Sequence, residues 1–107
     1  MYAVIFEVQP KTEHATQDYF DLAAELRTEL EEIDGFISVE RFSSLSDEEK
    51  FLSISFWRNE KALKQWREHH QHRKAQQKGR GEIFKDYRII VAKVIRDYGI
   101  TNRKEAP

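Results

Sequence analysis

The sequence predicts an α+β fold of the ferredoxin-like kind, in which a four-stranded antiparallel sheet carries two helices on one face. Two observations predict it. Four apolar segments rich in β-branched and aromatic residues alternate with two segments of helical periodicity in the order βαββαβ. Both parities of the first and last strands are also largely apolar. This second observation predicts that another sheet covers the face that the helices leave bare.

The first half of the chain supplies one strand and one helix. Residues 2–8 are apolar and β-branched or aromatic, and Pro10 ends this strand. A helix follows from Thr12 or Thr16, because apolar side chains then recur at three-, four- and seven-residue spacing. Gly35 ends the helix, since glycine is the usual residue just past a helix C-terminus. The apolar positions of this helix are Tyr19, Leu22, Ala23, Leu26, Leu30 and Ile33.

The second half of the chain supplies a hairpin, a helix and a final strand. Residues 36–42 and 51–57 are the two strands of the hairpin, joined by a polar turn over residues 43–50. Asn59 is suited to cap the helix that follows, because its side-chain oxygen can accept a backbone N–H of the first turn. Residues 87–98 form a long last strand.

Length and composition limit the classes of function. The 107 residues predict one domain, residues 1–99, followed by a polar tail, residues 100–107. Charged residues make up 35% of the chain but its net charge is only −1, so no partnership with nucleic acid or an acidic membrane is expected. The absence of cysteine excludes disulfides, thiolate catalysis and cysteine-ligated metals. The N-terminal apolar run is too short for a signal or a membrane span, which predicts a cytoplasmic protein.

The apolar character of both sheet faces predicts a homodimer. Two helices cover only one face, and the other would expose more apolar surface than the few hundred Å² usual for a monomer. We therefore expect two subunits to pack sheet against sheet, and a monomer in light scattering would contradict this. The alternating positions are Tyr2, Val4, Phe6 and Val8 against Ala3 and Ile5 in the first strand, and Ile89, Val91 and Ile95 against Ile90, Ala92 and Val94 in the last.

The segment WREHHQHRKAQQKGR, residues 66–80, concentrates the polar chemistry of the chain. His69 and His72 are three residues apart, a spacing that puts two metal ligands on one helix face. A stable site needs a third ligand, and the nearest acids are Glu68 and the distant Glu82. We therefore predict no metal, with His69 and its neighbour His70 as solvated residues on a polar helix.

His72 is the candidate proton acceptor. If the helix breaks near His69, the side chains of Trp66, His72 and Gln76 converge on the sheet as one pocket wall. A neutral imidazole takes a proton from a phenol or enol near neutral pH. Arg80 is the candidate stabiliser of the resulting anion, and Trp57 and Phe56 complete the predicted pocket.

A purely structural role for the same polar residues stays open. His72 and Gln76 would then bond helix ends or strand carbonyls, and Arg80 would pair with Asp86 or Glu82.

The framework resembles the antibiotic biosynthesis monooxygenase (ABM) domain family. The likeness covers nearly the whole chain, through FISVERF, LSISFW, ALKQWREHHQHRKAQQKGR and DYRIIVAKVIRDYG. Its most specific part is Trp66 followed six residues later by His72, then Ala75-Gln76 and Gly79-Arg80. The resemblance implies dimeric α+β barrels with an apolar pocket between helices and sheet. Some members oxidise aromatic polyketides without a cofactor, and others cleave haem.

Haem chemistry is disfavoured by two departures from the haem-degrading members. Those proteins carry an asparagine in the first strand, which MYAVIFEV lacks. They also place their histidine further beyond the tryptophan, whereas the tenth residue after Trp66 is Gln76. No cofactor is therefore expected.

The sequence thus predicts a cofactor-independent monooxygenase acting on a small hydrophobic or aromatic substrate. Two alternatives remain: a non-catalytic dimer that binds a small molecule in the same pocket, and a structural dimer whose pocket is filled by its own aromatics. Nucleic-acid binding is disfavoured, because the second and third strands lack the internal glycine of RNA-binding sheets. On a helix the neighbouring cations are more simply a solvated face: Arg67, Arg73, Lys74, Lys78 and Arg80.

Overall fold

The structure is a computed structural model that describes residues 1–76 and 84–101, the side chains of residues 13, 14, 70–76 and 84 excepted. Its four strands and two helices follow the predicted order βαββαβ. They are β1 (Tyr2–Pro10), α1 (Glu13–Glu31), β2 (Phe36–Ser43), β3 (Phe51–Trp57), α2 (Glu60–Gln76) and β4 (Phe84–Lys93). The strands form one sheet in the order β2-β3-β1-β4. All three pairings are antiparallel, which confirms the ferredoxin-like prediction.

The helix ends are fixed by short-range signals. The Thr12 hydroxyl accepts a hydrogen bond from the backbone N–H of Ala15 at 3.0 Å, so Thr12 and not Thr16 caps α1. The side-chain oxygen of Asn59 accepts one from the N–H of Ala62 at 3.0 Å and caps α2, as predicted. Each cap satisfies a backbone donor that the first helical turn leaves without a partner.

The structure differs from the sequence predictions at the end of α1, along the last strand and within α2. The first helix ends at Glu31, before the predicted end at Gly35, so Ile33 lies beyond it.

The last strand begins at Phe84 rather than at residue 87 and ends at Lys93 rather than at residue 98. Lys93 pairs with Tyr2, the first residue of β1, and the N–H of Val94 donates to the carbonyl of Met1. The last strand therefore ends where β1, its neighbour in the sheet, begins.

The helix does not break near His69: α2 continues to Gln76. The predicted convergence of Trp66, His72 and Gln76 on one pocket wall depended on such a break, and α2 has none there.

The sheet has one face under the helices and one face away from them. Along β1, Val4 and Phe6 face the helices, so Ala3 and Ile5 face the other way. The register places Ile5 opposite both Ile54 and Ile90, which makes a row of three isoleucines across the outer face. Both faces are apolar, as the sequence predicted.

The tightest packing is around Trp57, whose side chain is fully buried. Phe36 meets it edge to face with ring centroids 5.4 Å apart, and Leu30 and Ala62 complete the buried cluster. The indole N–H donates a hydrogen bond of 2.9 Å to the hydroxyl of Ser55, two residues away on the same face of β3. The buried donor is therefore satisfied by a neighbour on its own strand.

Replacing Ser55 by alanine is expected to lower the free energy of unfolding by about 1–3 kcal/mol, because the indole N–H would stay buried without an acceptor. Ser53→Ala is the matched control, since Ser53 lies on the same face of the same strand. Urea unfolding of the two variants measures the difference. Equal losses would show that the hydroxyl does not stabilise Trp57.

Candidate functional site

A cavity of about 950 Å³ lies between the sheet and the two helices. All four strands and both helices contribute to its walls, and its lining is mainly apolar. The residues that line it are Val4, Phe6, Tyr19, Leu22, Ala23, Leu26, Leu30, Val39, Arg41, Ser53, Ser55, Glu60, Lys61, Leu63, Lys64, Trp66, Arg67, Ile89 and Val91.

Two rows of side chains across the sheet form the floor of the cavity. One row, in strand order β2-β3-β1-β4, is Val39, Ser55, Val4 and Val91, and the next is Arg41, Ser53, Phe6 and Ile89. The β3 member of each row is a serine, whose small side chain leaves room above the middle of the sheet. Ile89 and Val91 are 52% and 59% exposed, so the cavity is open towards β4.

The helices supply an apolar roof and a charged rim. The α1 side chains that line the cavity recur at helical spacing, from Tyr19 to Leu30, as the sequence periodicity predicted. The rim on α2 is basic: Lys61, Lys64 and Arg67 border the cavity together with one carboxylate, Glu60. The Tyr2 hydroxyl donates a hydrogen bond of 3.1 Å to that carboxylate.

Arg41 and Tyr19 are the polar pair inside the cavity. Tyr19 is only 4% exposed, and its hydroxyl oxygen accepts a hydrogen bond from the guanidinium of Arg41. Burial raises the pKa of Tyr19 above its usual value, and the charge and hydrogen bond of Arg41 offset part of that rise. The phenol is therefore neutral at physiological pH. The Nε of Arg41 is shielded from solvent and has no hydrogen-bond partner.

The raised pKa of Tyr19 predicts an alkaline limit to stability. A raised folded-state pKa stabilises the fold fully below the unfolded pKa of about 10, and that contribution is lost as the pH rises through the folded-state pKa. The melting temperature should therefore fall more steeply above about pH 10 in the wild type than in Tyr19→Phe. If the melting temperatures of the two proteins change in parallel from pH 8 to 11.5, the prediction is wrong.

Trp66 lines the cavity and links it to the buried core. Its ring lies 6.3 Å from that of Trp57 at an interplanar angle of 27°, and 5.8 Å from the imidazole of His69. His69 is not the freely solvated residue that the sequence predicted. Its Nε2 lies 3.2 Å from the Oε2 of Glu29 on α1, and both atoms are buried. This contact is attractive only with a proton on Nε2, since a ring protonated at Nδ1 alone would set two lone pairs against each other.

The predicted site residues fall into three groups. Trp66 lies on the cavity wall. Trp57 lies beneath it in the core, and Phe56, its neighbour along β3, lies on the opposite face of the sheet, so neither lines the cavity. His72 and Gln76 belong to the last turns of α2, but their side chains lie outside the described residues, and so does all of Arg80.

Sequence reasoning placed Tyr19 on the apolar side of α1 without a functional role and did not consider Arg41. The strand alternation that would have found Arg41 is interrupted by a bulge in β2 between Phe36 and Ser38. For metals, the side chains that the structure describes contain no group of three or more histidine and carboxylate residues placed to hold an ion. None of the helices in the described ranges is long and apolar enough to span a membrane.

The fold and the cavity define a small ferredoxin-like α+β protein with an apolar, ligand-sized site between its sheet and its helices. The family model named antibiotic biosynthesis monooxygenase matches residues 1–78. The chain belongs to this family, which confirms the resemblance found in the sequence.

Two proteins are similar to the chain in sequence. The chain is 46% identical over 94 residues to a jasmonate monooxygenase ABM of Pyricularia oryzae, an alignment that covers 88% of this chain and 43% of the relative. It is 34% identical over 95 residues to the uncharacterized protein YqjZ of Bacillus subtilis, covering 89% of this chain and 80% of the relative. The chain thus spans less than half the length of the jasmonate monooxygenase.

Solved structures share the fold at low sequence identity. Rv0793 from Mycobacterium tuberculosis superimposes with a TM-score of 0.76 at 21% identity, covering 92% of this chain and 98% of that one. A mutant of MhuD with two manganese protoporphyrin IX groups bound per active site superimposes with a TM-score of 0.73 at 14% identity, covering 92% and 99%. At these identities the likeness concerns the fold.

Proposed function

We propose that the protein is a monooxygenase of the ABM type that oxidises a small hydrophobic or aromatic substrate bound in the cavity. The observation that carries the proposal is the apolar cavity of about 950 Å³ with Trp66 on its wall, in a chain of this family. Apolar walls with a few placed polar groups are the usual construction of a small-molecule site. The aromatic wall favours a planar substrate, which it holds by stacking.

In the proposed reaction the substrate itself supplies the electrons. A CH₂ group beside an enol or phenol, as in an anthrone, gives up its two hydrogens and gains one oxygen atom to become C=O. The second atom of O₂ leaves as water, so four substrate electrons reduce one O₂ and no cofactor is needed. His72 accepts the first proton and Arg80 stabilises the carbanion or enolate that results. Gln76, ten residues after Trp66 on the continuous helix α2, is the third polar residue of the proposed site.

The relative from Pyricularia oryzae suggests a second substrate type. It is named for jasmonate, a small carboxylate with an apolar body. The chain covers only part of that relative, so jasmonate is a candidate substrate that should be assayed together with an anthrone.

Oxygen uptake by His72→Ala tests the role of the histidine. We expect a loss of roughly 10²–10⁴-fold in the rate of anthrone oxidation, the usual contribution of one general base. His70→Ala, two residues before it, is the matched control and should keep the wild-type rate. Equal uptake by His72→Ala and wild type, with both shown to bind the anthrone, would remove His72 from the mechanism. Binding without oxygen uptake in the wild type would instead favour the non-catalytic small-molecule-binding dimer.

We further propose a homodimer joined through the outer face of the sheet. The row Ile5, Ile54 and Ile90 supports it, and Phe42, also on that face, is 47% exposed. Ile54→Asp should shift the mass in light scattering to that of a monomer, because a carboxylate at the middle of an apolar interface is costly to bury. Gln65→Asp, on the exposed side of α2, is the control for the added charge. A wild-type monomer at micromolar concentration would refute the dimer.

A further inference from the structure

We infer that the ligand of the cavity is an amphipathic monocarboxylic acid whose carboxylate is bound by Arg41. The inference rests on the proposed function only in taking the cavity as the substrate site. It adds the chemical class of the ligand, its orientation and a binding residue. Three features of the described residues lead to it: the missing partner of the guanidinium, the charge around the cavity, and the change in polarity along one row of the floor.

Among the side chains that the structure describes, the guanidinium of Arg41 has no carboxylate partner. Its Nε is shielded from solvent and has no hydrogen-bond partner. Its neighbour Tyr19 is a phenol whose pKa is raised, so that contact leaves the positive charge in place. Because Arg41 lines the cavity, a carboxylate bound there would accept two parallel hydrogen bonds from the guanidinium and supply the missing negative charge.

The charge around the cavity favours an anion. Of the described residues that line it, four are cations and one is a carboxylate. The cations are Arg41, Lys61, Lys64 and Arg67, and the carboxylate is Glu60. That carboxylate already accepts a hydrogen bond from Tyr2. The chain as a whole carries a net charge of −1, so the positive charge is a local property of this site. Like charges at a cavity mouth raise the local concentration of a ligand of opposite sign.

One of the two rows of the floor changes from polar to apolar across the sheet, whereas the other has a valine at each end. The row that starts with Arg41 on β2 passes Ser53 and Phe6 and ends at Ile89 on β4. Strands are about 4.8 Å apart, so this row is roughly 14 Å long. A ligand with its carboxylate on Arg41 would extend its apolar body over Phe6 and cover Ile89, which is 52% exposed. A second charged group on the ligand would meet the apolar end of the floor, which is why a monocarboxylate fits.

Binding of free acids and their methyl esters tests the inference. Jasmonic acid, decanoic acid and 1-naphthaleneacetic acid, each paired with its methyl ester, would be titrated into the full-length protein by calorimetry. We expect at least one acid to bind roughly ten- to a hundredfold more tightly than its ester, the range for a hydrogen bond to a charged group. Arg41→Met should abolish that preference. Arg27→Met, which removes an exposed cation of α1 that is not among the cavity-lining residues, should keep it.

Several outcomes would overturn the inference. These are equal affinities of acid and ester in the wild type, a preference that survives in Arg41→Met, or no acid binding below about 1 mM. The wild-type comparison needs no variant, so it stands even if Arg41→Met fails to fold; Arg41→Lys, which keeps the charge, should then retain part of the preference. Calorimetry under nitrogen measures binding without turnover. Tight acid binding with no oxygen uptake in air would therefore refute the monooxygenase proposal and leave the carboxylate site intact.

Discussion

Trp57→Ala is expected to lower the free energy of unfolding by about 3–5 kcal/mol, the usual cost of deleting a large buried ring. Its side chain is fully buried, meets Phe36 edge to face and lies beneath Trp66. The surrounding groups lie on two neighbouring strands and on both helices, which limits how far the site can collapse into the space. The melting temperature of a domain of this size should fall by roughly 15–30 °C, which thermal unfolding followed by circular dichroism measures.

Two control variants separate core packing from pocket shape. Trp57→Phe keeps a ring in the core and loses only part of the volume and the indole N–H, so it should cost less than half as much. Trp66→Ala removes a partly exposed ring on the cavity wall and should mainly weaken ligand binding. If Trp57→Ala unfolds no more easily than Trp66→Ala, the assignment of Trp57 to the core rather than to the pocket is wrong.

The order of the elements and the helix caps could be predicted because their signals are local. Thr12 and Asn59 each cap a helix through a hydrogen bond to a residue three positions later. The apolar stripe of α1, with Tyr19 in it, follows from periodicity alone. The end of the last strand could not be predicted in the same way. It depends on where β1 begins, through the pairing of Tyr2 with Lys93.

The polar part of the site could not be predicted, because one bulge decides it. With strict alternation from Phe36, which packs on the helix side of the sheet, Arg41 would point to the outer face. The register shifts between Phe36 and Ser38, so Val39 and Arg41 turn towards the helices instead. The prediction that Phe56 and Trp57 line the same pocket conflicts with strand geometry, because adjacent residues of a strand point to opposite faces of the sheet.

Gly35→Ala is expected to lower the free energy of unfolding by roughly 2–5 kcal/mol, through two separate causes. Gly35 has a φ of +98°, a backbone conformation that side chains with a Cβ rarely adopt. A Cβ at this position would also lie 2.7 Å from the Cβ of Ala62, a buried residue in the first turn of α2. The sequence predicts Gly35 as the end of α1, whereas α1 ends at Glu31 and Gly35 lies in the turn before β2. The contact of Gly35 with α2 follows only from the fold.

The double variant Gly35→Ala/Ala62→Gly separates the two causes. Removing the Ala62 methyl abolishes the clash and leaves the unfavourable φ, while Ala62→Gly alone costs about 1 kcal/mol as a glycine in a helix. If the clash contributes, the double variant should lose about 1–3 kcal/mol less than the sum of the two single variants in urea unfolding. Strict additivity would assign the whole cost to φ. In that case the cost would come from the backbone conformation of residue 35 alone. The contact between this turn and α2 would not contribute to the change in the free energy of unfolding.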